Sequence, residues 1–144
     1  MSTLFVDTSS LVKFYYPEQD SDAVEVGLLG AERVYLSELT RVEFVSAIAR
    51  KVRAGEIGKS EFARLTAAFN EDCLALRFSL VALGEDILIE ARSLVERLGL
   101  DYALRTLDGL QLASAMRSGA DGFLCHDERL AQVAATIGFK VVAS

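Results

Sequence analysis

Two aspartates, far apart in the sequence, follow short apolar segments. Asp7 comes directly after residues 3–6, and Asp127 follows residues 122–125 with one residue between. Both segments have the length and the polar or glycine borders of buried parallel strands. Ligands of open α/β sheets bind outside the carboxyl ends of the strands, where both carboxylates would lie. Taken alone, each aspartate is more simply explained as a helix N-cap, so it is the pair that indicates a site.

Two further acidic residues lie within segments of helical periodicity. Glu43 stands between apolar Val42 and Phe44, where a carboxylate faces either a cleft or the edge of the core. Asp108 falls in the first turn of another predicted helix, where an acid also favours the helix dipole. The residues one turn after Asp108 are mostly apolar, which indicates that this face of the helix is not fully solvated.

The four carboxylates together would suit a hard cation. Converging carboxylates repel one another, and without a cation at least one of their pKa values would be raised. Oxygen-only ligands are those that Mg²⁺ and Mn²⁺ prefer. One or two such ions would activate water and stabilise the leaving oxygen of a phosphodiester. The residues therefore predict a metal-dependent phosphate-ester hydrolase with Asp7, Glu43, Asp108 and Asp127 as ligands.

Alternating strands and helices are needed to bring these residues together. The predicted strands are 3–6, 34–36, 80–83, 122–125 and 139–142, and the predicted longer helices are 38–54, 61–76, 85–98 and 106–117. This alternation predicts an α/β fold with helices on a mostly parallel sheet of about five strands. The turn at 54–59 joins two helices with no strand between them, which predicts a helical-pair insertion on one side of the sheet.

Composition limits the class of protein. The chain has 144 residues, with 21 acidic and 15 basic side chains, a net charge of -6 and 51% hydrophobic residues, which predicts a single domain over 1–144. The acid excess excludes a broad basic surface for nucleic acid, although it allows a local site. Two cysteines and one histidine are too few for a zinc cluster. With no leader or membrane span visible, we expect a cytoplasmic protein.

Four segments in register resemble PIN-domain ribonucleases, in particular the VapC-type toxins of prokaryotic toxin–antitoxin modules. They are Val6–Lys13, Ser37–Phe44, Arg105–Ala113 and His126–Leu130, and the order and spacing agree from Leu4 to Val142. The resemblance implies a three-layer α/β/α domain and a homodimer. It further implies Mg²⁺- or Mn²⁺-dependent endoribonuclease activity that is held in check by a cognate antitoxin.

The resemblance also assigns roles to individual residues. The family's catalytic and metal-binding acids correspond to Asp7, Glu43, Asp108 and Asp127, and its small hydroxyl residues after the first acid correspond to Thr8 and Ser9. Two positions depart from the commonest pattern. Cys125 stands where the family often has Thr or Ser, so a supporting role in positioning water is in doubt. Gln111 stands where the family frequently has His.

An acidic protein must bind RNA through local cations. The candidates for weak substrate binding are Lys13, Arg50, Lys51, Arg53 and Arg129. Those at residues 50–53 equally suit the C-terminus of their helix. An apolar groove for the antitoxin tail is predicted around Leu11, Phe14, Tyr15, Phe44 and Phe62, each of which is also typical of a core.

Other functions remain open from the sequence. A non-catalytic PIN-like module would bind RNA or protein through the same fold. A phosphatase of the haloacid-dehalogenase type also begins with a strand and an aspartate. Its first strand is followed by the motif Asp-x-Asp, however, whereas in this sequence Ser9 stands where the second aspartate would be. A nucleophilic pair of Cys125 and His126 is disfavoured, because neighbouring residues on a strand point to opposite faces. Cys73 is expected in the core.

Overall fold

The computed structural model describes residues 2–17 and 21–143, which form five strands and seven helices. The strands are β1 (Thr3–Val6), β2 (Arg33–Ser37), β3 (Ser79–Val81), β4 (Gly122–Cys125) and β5 (Lys140–Ala143). The helices are α1 (Thr8–Tyr15), α2 (Ser21–Gly30), α3 (Leu39–Arg53), α4 (Lys59–Leu74), α5 (Glu85–Leu98), α6 (Thr106–Ser118) and α7 (Glu128–Thr136).

The five strands form one all-parallel sheet in the order β3-β2-β1-β4-β5. Strand β1 is central: Phe5 lies opposite Tyr35 of β2 on one side and Phe123 of β4 on the other. The chain builds the sheet outward from β1 in one direction and then returns to continue in the other. The direction reverses between β1 and β4, and their carboxyl ends form the crevice where such sheets bind ligands.

Side chains alternate between the two faces of the sheet, as expected for strands. Leu4 and Val6 pack with α1 to α4 on one face, whereas Phe5 and Phe123 pack with α5, α6 and α7 on the other. The rings of Phe5 and Phe123 are stacked at a centroid distance of 5.7 Å. Helices therefore cover both faces, and the predicted three-layer α/β/α fold is confirmed.

The predicted helical pair corresponds to α3 and α4. Apolar residues of both helices, Phe44, Ile48, Leu65 and Phe69, are buried in one cluster with β1 and β2. The hydroxyl of Tyr15 in α1 donates to Asp72 Oδ2 of α4 at 2.5 Å. These contacts place Glu43, on the same helix as Phe44, at a fixed distance from the carboxyl end of β1.

Strands β1 and β4 and helix α5 agree with the predicted ranges at both ends, and the boundaries of the other predicted elements differ by at most two residues. Strand β3 pairs with β2 only as far as Ser37 and Val81, so it ends earlier than predicted. Helix α2 has no counterpart among the predicted elements. Its exposed Val26 and Leu29 spread apolar residues around the helix, and Gly27 lowers its helix propensity.

One of the two cysteines lies in the core. Cys73 is buried with the α3 and α4 cluster, as predicted.

Within the described part of the chain, none of the helices has the length and apolar character to cross a bilayer.

Candidate active site

Asp7 leaves the central strand and caps the first helix. Its N–H donates to the carbonyl of Leu124 at 3.0 Å, which fixes the end of β1 against β4. Its Oδ2 accepts from Ser9 N at 3.3 Å and from Ser9 Oγ at 2.5 Å. The cap explains why an aspartate stands here. It does not explain why the residue is only 7% exposed, and this burial makes the carboxylate more than a surface cap.

Burial raises the pKa of Asp7 from 3.8 to about 6. The negative charge of Glu43 contributes to this raised pKa, whereas the hydrogen bonds from Ser9 lower it. Two carboxylates in a poorly solvated crevice repel one another in this way. A cation beside them would favour the ionised form, so Asp7 is poised to gain from binding one.

Glu43 reaches the same crevice from α3. It is half-buried, and its Oε1 accepts from Thr8 Oγ1 at 2.8 Å and from Gln111 Nε2 at 2.7 Å. The sequence left two positions open for Glu43, the edge of the core and a cleft, and these contacts are compatible with both.

Gln111 is the centre of a buried polar network beneath Glu43. Its Nε2 also lies 3.0 Å from Thr40 Oγ1 and 3.2 Å from Thr8 Oγ1, and the two threonine hydroxyls are 2.9 Å apart. Gln111 is 2% exposed, and its Oε1 has no hydrogen-bond partner among the described residues. Sequence reasoning treated Gln111 only as a departure and missed Thr40. In the sequence, both Gln111 and Thr40 are polar side chains on an otherwise apolar helix face, and this is the pattern that could have indicated them.

Asp108 and Asp127 are joined by one arginine. Arg129 donates from Nη1 to Asp108 Oδ2 at 3.0 Å and from Nη2 to Asp127 Oδ2 at 3.2 Å. Both aspartates also cap helices. Asp108 Oδ2 accepts from Arg105 N at 3.0 Å before α6, and Asp127 Oδ1 accepts from Arg129 N at 2.9 Å and Leu130 N at 3.3 Å at the start of α7.

Cys125 lies between Asp7 and Asp127. Its thiol approaches Asp7 Oδ2 at 3.9 Å and donates to the carbonyl of Asp127 at 3.3 Å. Burial, and then the charge of Asp7, raises the pKa of this thiol, and Asp127 and Asp108 add to the effect. A thiol with a raised pKa is a poor nucleophile. His126 places Nδ1 3.0 Å from Lys13 Nζ.

The predicted RNA-binding cations take different positions. Lys13 is 6% exposed and contacts His126 at the end of β4. Arg50 and Lys51 line a cleft of about 320 Å³ beside Ser9, and Lys51 Nζ lies 5.1 Å from the ring centroid of Tyr16. The other two differ: Arg53 is exposed at the end of α3, and Arg129 turns toward Asp108 and Asp127.

The fold and this set of acids invite comparison with known proteins. The model of the PIN-domain family matches residues 4–136. The chain belongs to the PIN-domain family. It is 32% identical to Ribonuclease VapC46 of Mycobacterium tuberculosis over 145 aligned residues, which cover 99% of this chain and 98% of that protein. This confirms the resemblance read from the four segments.

Solved structures share the architecture of this PIN domain. Mycobacterium tuberculosis VapC20, a toxin that cleaves the sarcin–ricin loop, superposes with a TM-score of 0.70 at 16% identity, over 95% of this chain and 96% of that one. A toxin–antitoxin complex from Klebsiella pneumoniae superposes with a TM-score of 0.60 at 16% identity, over 89% and 88%. At such identities the likeness establishes the fold.

The acids of this PIN domain fit a divalent cation by chemistry. All four offer only oxygen, which Mg²⁺ and Mn²⁺ prefer, and the raised pKa of Asp7 marks a place where a positive charge is favoured. Across residues 2–17 and 21–143, however, no three carboxylate, imidazole or thiol side chains are arranged to hold one ion. Asp7 and Glu43 form one half, and Asp108 and Asp127, bridged by Arg129, form the other.

The apolar groove predicted for a partner is wrong in two of its residues. Leu11 and Phe44 are fully buried in the core of this PIN domain. Phe14, Tyr15 and Phe62 are partly buried and pack against that core. Helical periodicity alone does not distinguish an apolar stripe facing the sheet from one facing a partner, which is why Leu11 and Phe44 were misplaced.

Proposed function

We propose that this PIN domain is a Mg²⁺- or Mn²⁺-dependent endoribonuclease of the VapC type, the toxin of a toxin–antitoxin module. The observation that carries the proposal is the convergence of acids at the crevice between β1 and β4. Glu43 raises the pKa of Asp7. The negative charges of three aspartates, Asp7, Asp108 and Asp127, raise the pKa of the Cys125 thiol. Sequence identity to a VapC ribonuclease over almost the whole chain supports RNA as the substrate.

In the proposed mechanism, Asp7, Glu43, Asp108 and Asp127 would hold the metal, and neighbouring side chains orient these carboxylates. When bound, the metal supplies positive charge that lowers the pKa of water and stabilises the leaving oxygen of a phosphodiester. Ser9 orients the Asp7 carboxylate through its hydroxyl, and Thr8 and Gln111 orient Glu43. We expect products with 5′-phosphate and 3′-hydroxyl ends.

RNA would be bound by a small number of cations around the crevice. Lys13, fixed beside His126, lies close to the end of β4, and Arg50 and Lys51 line the cleft next to Ser9. These side chains would contact phosphates on either side of the scissile bond. The protein would act in the cytoplasm, where cleavage of RNA inhibits translation or growth.

The proposed partner is a cognate antitoxin, and the proposed assembly is a homodimer. The structural likeness to a toxin–antitoxin complex from Klebsiella pneumoniae supports the first part. Because Leu11 and Phe44 are buried, we expect the antitoxin tail to enter the cleft beside Ser9 instead, where Arg50 and Lys51 attract acidic or carboxylate groups.

Substitution of the acids tests the nuclease. The variants Asp7→Asn and Asp108→Asn should each lose Mg²⁺-dependent cleavage of ribosomal RNA by at least about a hundredfold, because each removes a negative ligand while keeping the shape. Asp101→Asn, at an exposed turn, is the matched control and should cleave normally. Mapping RNA 5′ ends after brief expression, against Asp7→Asn, would identify the target.

Two results would argue against the proposal. Full activity in purified Asp7→Asn would exclude the proposed ligand set. RNA binding without cleavage by the unaltered protein, at saturating Mg²⁺ or Mn²⁺, would favour a non-catalytic module. Hydrolysis of small phosphate esters in place of RNA would favour a phosphatase.

A further inference from the structure

Arg129 contacts both carboxylates of one half of the site with the two ends of its guanidinium. The Nη1 atom lies 3.0 Å from Asp108 Oδ2, and the Nη2 atom lies 3.2 Å from Asp127 Oδ2. The backbone N–H of Arg129 also donates to Asp127 Oδ1 at 2.9 Å. The planar fork of arginine suits this geometry, since one group bridges two acceptors with charge-assisted hydrogen bonds.

The two halves of the site differ in how their charge is neutralised. Among the described residues, no lysine or arginine forms an ion pair with Asp7 or Glu43, and these two acids repel each other. Asp108 and Asp127 instead share the positive charge of Arg129, and Arg105 Nε lies 3.6 Å from Asp108 Oδ2. The contact is partly shielded from water, because the Asp108 side chain is 12% exposed and that of Arg129 is 29% exposed. Such shielding makes the pair with Asp108 stronger than one on an open surface, whereas the Asp127 side chain is 34% exposed.

The acids form no ready-made site for an ion. In the part of the chain that the structure describes, no three acidic, imidazole or thiol side chains are arranged to ligate one cation. Arg129 contacts Oδ2 of Asp108 and Oδ2 of Asp127. A divalent cation that uses these oxygens must take the place of the guanidinium.

The geometry points to Arg129 as an internal cation that competes with the divalent metal for Asp108 and Asp127. This inference rests on the metal site of the proposed function and adds a regulatory role to it. The metal-free chain is kept stable by the two ion pairs, and metal binds only at the cost of breaking them. The protein is therefore a weaker metal binder than its four acids alone would be. Its activity depends on metal concentration over a range that Arg129 sets.

Metal binding without RNA tests this role. We expect Arg129→Gln to bind Mn²⁺ about tenfold more tightly than the unaltered protein in calorimetric titration, because the cation that contacts both aspartates is then gone and only Arg105, 3.6 Å from Asp108 Oδ2, remains beside them. In EDTA the same variant should unfold at a lower temperature, since Asp108 and Asp127 then repel each other. Arg92→Gln is the matched control: it removes an exposed pair with Glu96 on α5 and should change neither measurement.

A second variant keeps the test decisive if Arg129→Gln folds poorly. Arg129→Lys retains the charge but reaches only one carboxylate at a time, so its Mn²⁺ affinity should lie between those of the other two proteins. Unchanged or weaker Mn²⁺ binding in the Arg129 variants would overturn the inference. If the unaltered protein binds Mn²⁺ and the Arg129 variants bind it more tightly, but none cleaves RNA, the proposed function fails and the role of Arg129 stands.

Discussion

Asp7 is held in a crevice that disfavours the ionised form of its carboxyl group. Its pKa is raised to about 6, chiefly by burial and further by Glu43, whereas an unfolded chain would ionise it near 3.8. Between these two pH values the folded chain binds more protons than the unfolded chain. The free energy of unfolding therefore falls as pH rises from about 4 to about 6, and it stays lower above that range.

Replacement of this carboxylate should stabilise the metal-free protein at neutral pH. We expect Asp7→Asn to raise the free energy of unfolding by up to about 3 kcal/mol, the equivalent of about two pKa units. The gain should shrink as pH falls below about 6 and approach zero only well below 3.8, where Asp7 is protonated in both states. Urea denaturation in EDTA at several pH values measures it, with Asp101→Asn as the control. A gain that does not vary with pH would show that ionisation of Asp7 is not the cause.

The acids of the candidate site, and Thr8 and Ser9 beside them, could be proposed from the sequence, whereas their more distant partners could not. Asp7 and Asp127 follow strand patterns, and Glu43 interrupts an apolar helix face. Thr40, Gln111 and the bridging contacts of Arg129 depend on how α3, α6 and α7 meet in space. No periodicity in the sequence specifies that meeting.

At the scale of elements, strands and helices were predictable where periodicity is strong. The boundaries of α5 agree at both ends, because its apolar residues recur at helical spacing between Gly84 and Gly99. Helix α2 was missed, because Val26 and Leu29 remain exposed and its pattern is weak. The end of β3 was misplaced because pairing with β2, and not the length of the apolar run, ends the strand.

The position of Asp108 depends on the close packing of α6 against α5. A Cβ atom at Gly109, the next residue, would lie 3.0 Å from Val95 Cγ2 and 3.5 Å from the carbonyl of Ala91. We expect Gly109→Val to lower the free energy of unfolding by about 2 kcal/mol or more, because a larger side chain separates the helices. Urea denaturation measures the loss.

A matched substitution distinguishes crowding from a general effect of valine in a helix. At Gly30, the last residue of α2, a Cβ would meet nothing within 4 Å. Gly30→Val should change stability by less than about 0.5 kcal/mol. Similar losses at Gly30 and Gly109 would contradict the close-packing explanation.

At the scale of the whole molecule, the net charge of -6 limits how RNA can be bound. Among the described residues, the cations that we propose to bind phosphate near the crevice are Lys13, Arg50 and Lys51, because Arg129 is engaged by Asp108 and Asp127. The acids of the site add repulsion toward phosphate until a divalent cation offsets it. RNA affinity should therefore depend on divalent metal far more than on general electrostatic attraction.

The salt dependence of RNA binding should accordingly be shallow. Three phosphate contacts on a single strand predict a slope of log affinity against log salt of about -2. Binding of a non-cleavable RNA analogue with Mg²⁺ held constant would measure this slope, and EDTA should abolish both binding and cleavage. A slope near about -5 or steeper would reveal a broad basic surface that the structure does not show.

The place of β1 at the centre of the sheet also governs when the site forms during synthesis. Strand β1 pairs with β2 early in the chain, but its other neighbour, β4, begins only at Gly122. The bond from Asp7 N–H to Leu124 closes this long-range contact. Contacts between distant parts of a chain form slowly and late in folding. A ribosome must therefore release more than 125 residues before Asp7 and Asp127 meet, so a nascent or truncated chain carries no assembled acidic centre.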